Sequence, residues 1–111
     1  MYPRQVPEGL NQVILDIDPV EPQPWLLVRA AQVLRGGGIV VMPTDTVYGL
    51  TCGITHHDAI LRIYKLKDMD PKKPLSILVS DMTMVGRYAR GVSTPAYRLL
   101  KRVLPGPYTF I

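Results

Sequence analysis

The stretch that decides the fold is Gly38-Ile-Val-Val-Met-Pro-Thr-Asp-Thr-Val-Tyr-Gly-Leu50. Its first part, residues 39–42, is an unbroken run of apolar, mostly β-branched side chains, which is typical of a strand covered on both faces. Pro43 ends this run, because proline has no backbone N–H to donate to a neighbouring strand. The residues that follow are polar. The stretch therefore predicts a core strand that runs into a surface loop.

Three glycines, 36–38, lie between this strand and a helix predicted over about 25–35. Glycine adopts left-handed backbone angles at little steric cost and commonly ends helices. In a phosphate-binding loop the glycines follow a strand and open a helix, which is the reverse of the order here. The helix-capping interpretation is therefore favoured. One buried helix face is predicted from the spacing of five apolar residues: Leu26, Leu27, Ala30, Ala31 and Leu34.

Helices and apolar strands alternate along the rest of the chain. Three helices are predicted, over about 57–67, 81–88 and 93–103, and a cap at His57 and Asp58 is expected to begin the first. The predicted strands are 13–17, 75–79 and 108–111. Residues 68–74 are predicted to form a charged loop. This alternation predicts an α/β layered domain with a mixed or parallel sheet.

Composition favours a single soluble domain. Of the 111 residues, 47% are hydrophobic and 20% are charged. We expect an irregular arm over 1–12 and one domain over 13–111, whose last residues read as an interrupted strand, so that the chain is a fragment. There is no signal-peptide pattern and no apolar run near the roughly 18 to 20 residues of a membrane span. A cytoplasmic protein without membrane contact is the expectation. The net charge of +4 permits a polyanionic partner.

The polar loop is the first candidate binding site. Thr44, Asp45 and Thr46 offer two hydroxyls and a carboxylate at the end of a predicted strand, where open α/β sheets bind ligands. The alternative is that these residues only form a side-chain-stabilised turn. Tyr48 is open to the same two interpretations, since it can stack on a ligand or simply pack.

A lysine-rich segment is the second candidate. It contains Lys65, Lys67, Lys72 and Lys73 within nine residues. Lysine binds phosphate as a mobile point charge. The alternative is a solvated helix end, where cations also favour the helix dipole.

Other reactive side chains give weaker signals. His56 and His57 have no cysteine or second carboxylate at zinc-ligand spacing, so we predict a surface turn and no structural metal site. Cys52 has no identifiable base and is interpreted as a small core residue. No residue is identified as a covalent catalytic nucleophile.

Several motifs in order resemble the YrdC-like domain of threonylcarbamoyl-AMP synthases. Besides the opening stretch they are Ile63-Tyr-Lys-Leu-Lys67, Lys73-Pro-Leu75 and Leu104-Pro-Gly-Pro-Tyr-Thr109. The resemblance implies a three-layer α/β fold with a twisted mixed sheet and a positively charged concave surface. A family domain is close to twice this length, so the resemblance implies that the chain is the N-terminal part of such a domain and lacks the family's later Ser-x-Asn motif.

The resemblance also implies an activity. Family members make threonylcarbamoyl-AMP and pyrophosphate from L-threonine, bicarbonate and ATP with Mg²⁺, as the source of the threonylcarbamoyl group on adenosine 37 of certain tRNAs. By the same resemblance Thr44, Thr46 and Tyr48 would surround the threonine, and Lys65 and Lys67 would face the nucleotide phosphates.

One position departs from the family pattern. The arginine of the family's Lys-x-Arg motif falls on Met69, and the following proline falls on Asp70. A thioether offers neither charge nor hydrogen-bond donor, so Lys72 or Lys73 is the candidate replacement for the guanidinium. This departure resembles the YciO branch of the family. It also keeps open an alternative function, a module that binds double-stranded RNA, tRNA or a nucleotide without synthase activity.

Overall fold

The computed structural model describes residues 12–111. In that range it has four helices and two short strands, in the order α1 (Pro24–Arg35), β1 (Ile39–Met42), β2 (Gly49–Cys52), α2 (His57–Leu66), α3 (Met82–Tyr88) and α4 (Thr94–Val103). Helix α1 packs against β1, and α2 packs against β2. The α/β class predicted from the sequence is confirmed. The predicted arm, 1–12, lies outside the described residues except for Gln12.

The glycines after α1 form its C-terminal cap, as predicted. Gly37 has a φ of 82°, and its N–H donates to the carbonyl of Leu34 at 3.1 Å while Gly38 N–H donates to Val33 at 2.8 Å. These two bonds satisfy carbonyls that the end of a helix leaves without partners. At the other end Pro24 occupies the first turn, where its missing N–H costs nothing.

Strands β1 and β2 form an antiparallel hairpin. Ile39 pairs with Cys52 and Met42 with Gly49, so residues 43–48 are the loop of the hairpin. The described residues contain only this two-stranded sheet, where the sequence predicts a mixed or parallel one. Strand β2 was not predicted, because a four-residue segment that begins with glycine carries little strand signal. The expectation that β1 is covered on both faces is wrong at Val41, which is 57% exposed.

Helix α2 carries the buried core of the described residues. Ala59 is 2% exposed and Ile63 is 3% exposed. The predicted apolar face is only partly covered, because Leu61 and Leu66 are 47% and 64% exposed. The predicted cap at His57 and Asp58 is wrong, since the N-cap is His56 and no side chain bonds to the free N–H groups.

Helices α3 and α4 begin where their capping residues predict. The Asp81 carboxylate accepts from Met84 N–H at 3.0 Å, and the Ser93 hydroxyl accepts from Ala96 N–H at 3.3 Å. Each bond satisfies one of the free N–H groups in the first turn of a helix. A hydrogen bond from the Met84 backbone N–H and one from the Ser80 side-chain hydroxyl lower the pKa of Asp81.

Three predicted strands are absent. Residues 13–17, 75–79 and 108–111 have no regular secondary structure. Their apolar, β-branched composition favours extended backbone, but a strand also needs a second segment to receive its hydrogen bonds. None of the other described residues supplies such a segment.

Within the described range, no helix has the length and apolar character needed to cross a membrane.

Candidate functional site

The hairpin loop is organised by the hydroxyl of Thr44. This group donates to the carbonyl of Val47 at 2.5 Å and accepts from the backbone N–H of Thr46 at 3.3 Å. The two threonine hydroxyl oxygens are 3.5 Å apart, at the outer limit of a hydrogen bond. Thr44 is therefore engaged in holding the loop, as the turn interpretation predicts, while the Thr46 hydroxyl makes no closer bond among the described residues.

The loop presents its other side chains to solvent. Asp45 and Thr46 are exposed, and Val47 and Tyr48 are each 72% exposed. An exposed tyrosine beside a hydroxyl and a carboxylate offers an aromatic face and polar groups to one ligand. The turn interpretation and the binding interpretation are thus compatible, because Thr44 holds the turn while the exposed side chains of the loop remain free to contact a ligand.

The first two lysines lie at the end of α2. Lys65 is in the last turn and Lys67 is the C-cap residue. The chain then turns through Asp68, whose φ is 48°, with Asp68 N–H bonded to Lys65 and Met69 N–H bonded to Tyr64. This pair of bonds is the Schellman arrangement, with aspartate where glycine is usual. Cations here face the negative end of the helix dipole.

The second pair of lysines is held near the same helix. The Tyr64 hydroxyl donates to the Lys73 carbonyl, which ties the loop after α2 back to the helix. Within that loop Asp70 accepts from Lys72 N–H at 2.9 Å through its carboxylate and from Lys73 N–H at 2.9 Å through its carbonyl. All four lysine side chains are exposed, as are the carboxylates of Asp68 and Asp70 between them. The four lysines together are called the cationic surface below.

Met69 lies in the turn that ends α2. It lies two residues beyond the C-cap and is half-buried, the position whose side chain commonly packs back on the last turn of a helix. It brings no charge to the cationic surface, so any phosphate contact in this segment depends on lysines.

The structure groups the predicted residues in two sets. Thr44, Thr46 and Tyr48 share the hairpin loop, and the four lysines share the end of α2. No hydrogen bond between described residues joins one set to the other. Two cavities, of about 380 and 410 Å³, are lined by residues of neither set.

His56 is a feature that sequence reasoning missed. It was predicted to lie in a surface turn, but it is half-buried, with its ring between two glycines. A Cβ added at Gly37 would lie 3.2 Å from His56 Nδ1, and one at Gly53 would lie 2.8 Å from His56 Cδ2. The ring therefore connects the cap of α1 with the start of α2. No local pattern in the sequence marks this contact, because Gly37 and Gly53 are 16 residues apart.

Cys52 is half-buried in β2. Desolvation raises the pKa of its thiol, which opposes formation of the reactive thiolate. This environment fits the predicted packing role.

A family model described as telomere recombination, for the Sua5, YciO and YrdC proteins, matches residues 32–111. The matched region contains the hairpin loop, the lysine-rich segment and helices α2 to α4. The chain belongs to the Sua5/YciO/YrdC family.

Curated relatives of this family member fall into two groups. An uncharacterized protein of Haemophilus influenzae is 38% identical over 95 residues, 86% of this chain and 45% of that protein. The uncharacterized protein YciO of Escherichia coli K12 is 35% identical over 95 residues, again 86% of this chain and 46% of the relative. The human threonylcarbamoyl-AMP synthase is 42% identical over 85 residues, 77% of this chain and 30% of that enzyme.

The fold agrees with a solved family structure. The crystal structure of E. coli YciO matches with a TM-score of 0.74 and 33% identity, over 81% of this chain and 43% of that one. The chain therefore spans less than half the length of the relatives it matches. The YrdC-like fold and the likeness to YciO that the sequence predicts are both confirmed.

Proposed function

We propose that the protein is a threonylcarbamoyl-AMP synthase-type nucleotidyltransferase, which forms threonylcarbamoyl-AMP and pyrophosphate from L-threonine, bicarbonate and ATP for tRNA modification. The observation that carries this proposal is the 42% identity to the human threonylcarbamoyl-AMP synthase over 85 residues. The exposed polar loop and the cationic surface support it, because they offer hydroxyl groups to an amino acid and ammonium groups to a triphosphate.

The proposed reaction requires no covalent enzyme intermediate. The threonine amine combines with bicarbonate to give a carbamate and water. A carbamate oxygen then attacks the α-phosphorus of ATP, and the bond to the β-phosphate breaks to release pyrophosphate. Such a reaction is accelerated by holding two anions in line and by compensating their charge. Lysines around a helix end are suited to this task.

We propose different roles for the two loop threonines. Thr44 is a positioning residue, since its hydroxyl is engaged with Val47 and Thr46. Thr46 and Tyr48 are the proposed contacts to the threonine substrate, through the hydroxyl and the exposed ring. Lys65 and Lys67 are the proposed contacts to the nucleotide phosphates, with Lys72 and Lys73 in place of the arginine that Met69 replaces.

Mg²⁺ would enter with ATP. Within residues 12–111 no group of three or more His, Cys, Asp or Glu side chains could hold a metal ion. We propose that the ion is carried by the phosphates of ATP, as is usual for Mg²⁺ in nucleotide sites. When bound, the ion would supply charge neutralisation on the triphosphate.

The test is threonine-dependent pyrophosphate release. The protein is incubated with L-threonine, bicarbonate, Mg²⁺ and ATP labelled in the γ-phosphate. We expect release that depends on threonine, a large loss in Lys67→Ala, and little change in Lys101→Ala, which removes an exposed lysine of α4. Release that does not require threonine, or that is equal in both variants, would refute the synthase proposal.

The alternative is a module that binds double-stranded RNA or tRNA without chemistry. Met69 favours this alternative, because a methionine among the proposed phosphate-binding residues weakens nucleotide binding relative to arginine. Phosphate-driven RNA binding falls steeply with salt. RNA affinity that decreases with salt, together with an absence of pyrophosphate release, would select this alternative.

A further inference from the structure

A cavity between α3 and α4 is used by neither set of predicted site residues. Its volume is about 380 Å³, and most of its lining is apolar: Met82, Val85, Ala89, Val92 and Tyr97. Val92 is 37% exposed and Tyr97 is 39% exposed, so the cavity is open to solvent. Apolar cavities of roughly this size commonly receive a ligand or a partner's side chain. This feature is called the α3–α4 cavity below.

Gly86 leaves room in this cavity. It lies inside α3 and contributes to the lining of the cavity. Among the described residues, a Cβ added at Gly86 would meet no atom within 4 Å. Glycine is a poor helix former, so neither the helix nor its packing requires glycine at this position. A larger side chain there would occupy the cavity.

Helix α4 carries a stripe of cations next to the cavity. Arg98, Lys101 and Arg102 are spaced i, i+3 and i+4, which places them on one face of the helix. All three are exposed, whereas the apolar Val103 is half-buried. Tyr97 joins the two features, because it lines the cavity and lies one turn before Lys101. These three cations are called the α4 stripe.

The sequence around the α4 stripe contains no acidic residue. After Asp81 the chain has five basic residues and neither Asp nor Glu: Arg87, Arg90, Arg98, Lys101 and Arg102. Arg87 lies close enough to Asp81 for their charges to interact. The residues of the stripe have no carboxylate near them in the sequence. A partner that brings carboxylates would therefore complement this face.

The combination of cavity and stripe favours a protein partner over a nucleic acid. Arginine, tyrosine and methionine are enriched at protein interfaces, and all three residue types are present here. RNA offers phosphates but no aliphatic side chain that could enter an apolar cavity. The three cations of the stripe are also few beside the roughly 6 to 10 phosphate contacts of a typical nucleic-acid binder.

We infer that the α3–α4 cavity and the α4 stripe form a docking surface for an acidic segment of a partner protein. One apolar side chain of that segment enters the cavity beside Tyr97, and its carboxylates pair with the cations of the stripe. The inference does not rest on the proposed synthase reaction, whose residues lie in the hairpin loop and at the end of α2.

The first test is fluorescence anisotropy with a short labelled peptide in which one leucine is flanked by glutamates. We expect binding that is weakened about tenfold or more by Arg98→Ala/Lys101→Ala/Arg102→Ala. The control, Arg29→Ala/Arg35→Ala/Arg62→Ala, removes the same charge from exposed positions of α1 and α2 and should change the affinity less than about twofold. Absence of binding to the unaltered protein, or equal loss in both triple variants, would overturn the inference.

The second test keeps every charge and fills the cavity. Gly86→Leu should weaken peptide binding about tenfold, whereas Gly86→Ala, which adds one methyl group, should retain it. A peptide with serine in place of its leucine should bind the unaltered protein as weakly as the original peptide binds Gly86→Leu. Peptide binding that is unchanged in Gly86→Leu would contradict the proposal. An RNA duplex that binds more tightly than the peptide, loses affinity in the α4 triple variant and is insensitive to Gly86→Leu would assign the stripe to nucleic acid instead.

Discussion

Replacing Gly37 with alanine should destabilise the protein, whereas the same change at the adjacent Gly36 should not. Gly37 has a φ of 82° and caps α1. Gly36 has a φ of −81°, which any residue adopts. The two positions form a matched pair, because the substitution is identical and only the backbone conformation and the surroundings differ.

The magnitude follows from the geometry at each site. An L-residue in left-handed backbone costs about 1–2 kcal/mol, and a Cβ at Gly37 would also lie 3.2 Å from His56 Nδ1, so the ring must shift. A Cβ at Gly36 would meet the Gln32 carbonyl at 3.4 Å, close to ordinary contact. There alanine should be neutral or stabilise by about 0.4–1 kcal/mol through the unfolded state. The variants should differ by about 2 kcal/mol, or roughly 30-fold in the folding equilibrium.

Urea unfolding followed by circular dichroism at 222 nm measures the difference. If the glycines cap α1, Gly37→Ala loses stability and Gly36→Ala keeps it. ATP affinity should be unaffected by Gly36→Ala, because the glycines form a helix cap and not a phosphate loop. Equal destabilisation by both changes, or a specific loss of ATP binding in Gly36→Ala, would show that these glycines do not act as a helix cap.

Three further outcomes are expected. Asp68→Gly should raise the free energy of unfolding by about 0.5–1 kcal/mol, because Asp68 has a φ of 48°; a loss in urea unfolding would contradict the assigned cap. The Met84 amide proton shift should titrate with a midpoint below the ordinary carboxyl pKa of 3.8, because its N–H bonds to Asp81, whose pKa is lowered. The stabilisation from that cap is present above the ordinary pKa and is lost as the pH falls through the lowered one. Asp81→Asn should abolish the titration, and its persistence would exclude Asp81 as the source. Tyr64→Phe should speed amide exchange in residues 68–74, because it removes the bond to the Lys73 carbonyl; unchanged exchange would show that this bond does not order the loop.

The helices could be predicted because their limits are set locally. Asp81 and Ser93 cap the helices that they precede, and the glycines after Arg35 end α1. Each of these helix boundaries is therefore determined by residues within a few positions of it. The exception is α2, which starts at His57 without a side-chain cap.

The strands could not be predicted in the same way. The 75–79 segment has the composition of a strand, yet whether it becomes one depends on a partner distant in sequence. Strand β2 is the opposite case, since Gly49–Cys52 has weak strand character but is paired with β1 through the hairpin.

The residues of the candidate site could be proposed from the sequence, but their hydrogen bonds and burial could not. Thr44, Thr46 and the lysines were identified by residue type and by resemblance. Which hydroxyl holds the loop depends on hydrogen bonds that spacing alone does not specify. The burial of His56 depends on two glycines 16 residues apart in the sequence, so no local pattern reveals it.

We propose that the hairpin loop binds threonine and that the lysine-rich segment binds the nucleotide. Backbone amide shifts of the isotopically labelled protein, titrated separately with L-threonine and with ATP–Mg²⁺, test it most directly. We expect threonine to move the signals of Thr46 and Tyr48 and ATP to move those of Lys65 and Lys67. The ATP response should be lost in Lys67→Ala. Responses confined to other residues, or an ATP response unchanged in Lys67→Ala, would contradict the claim.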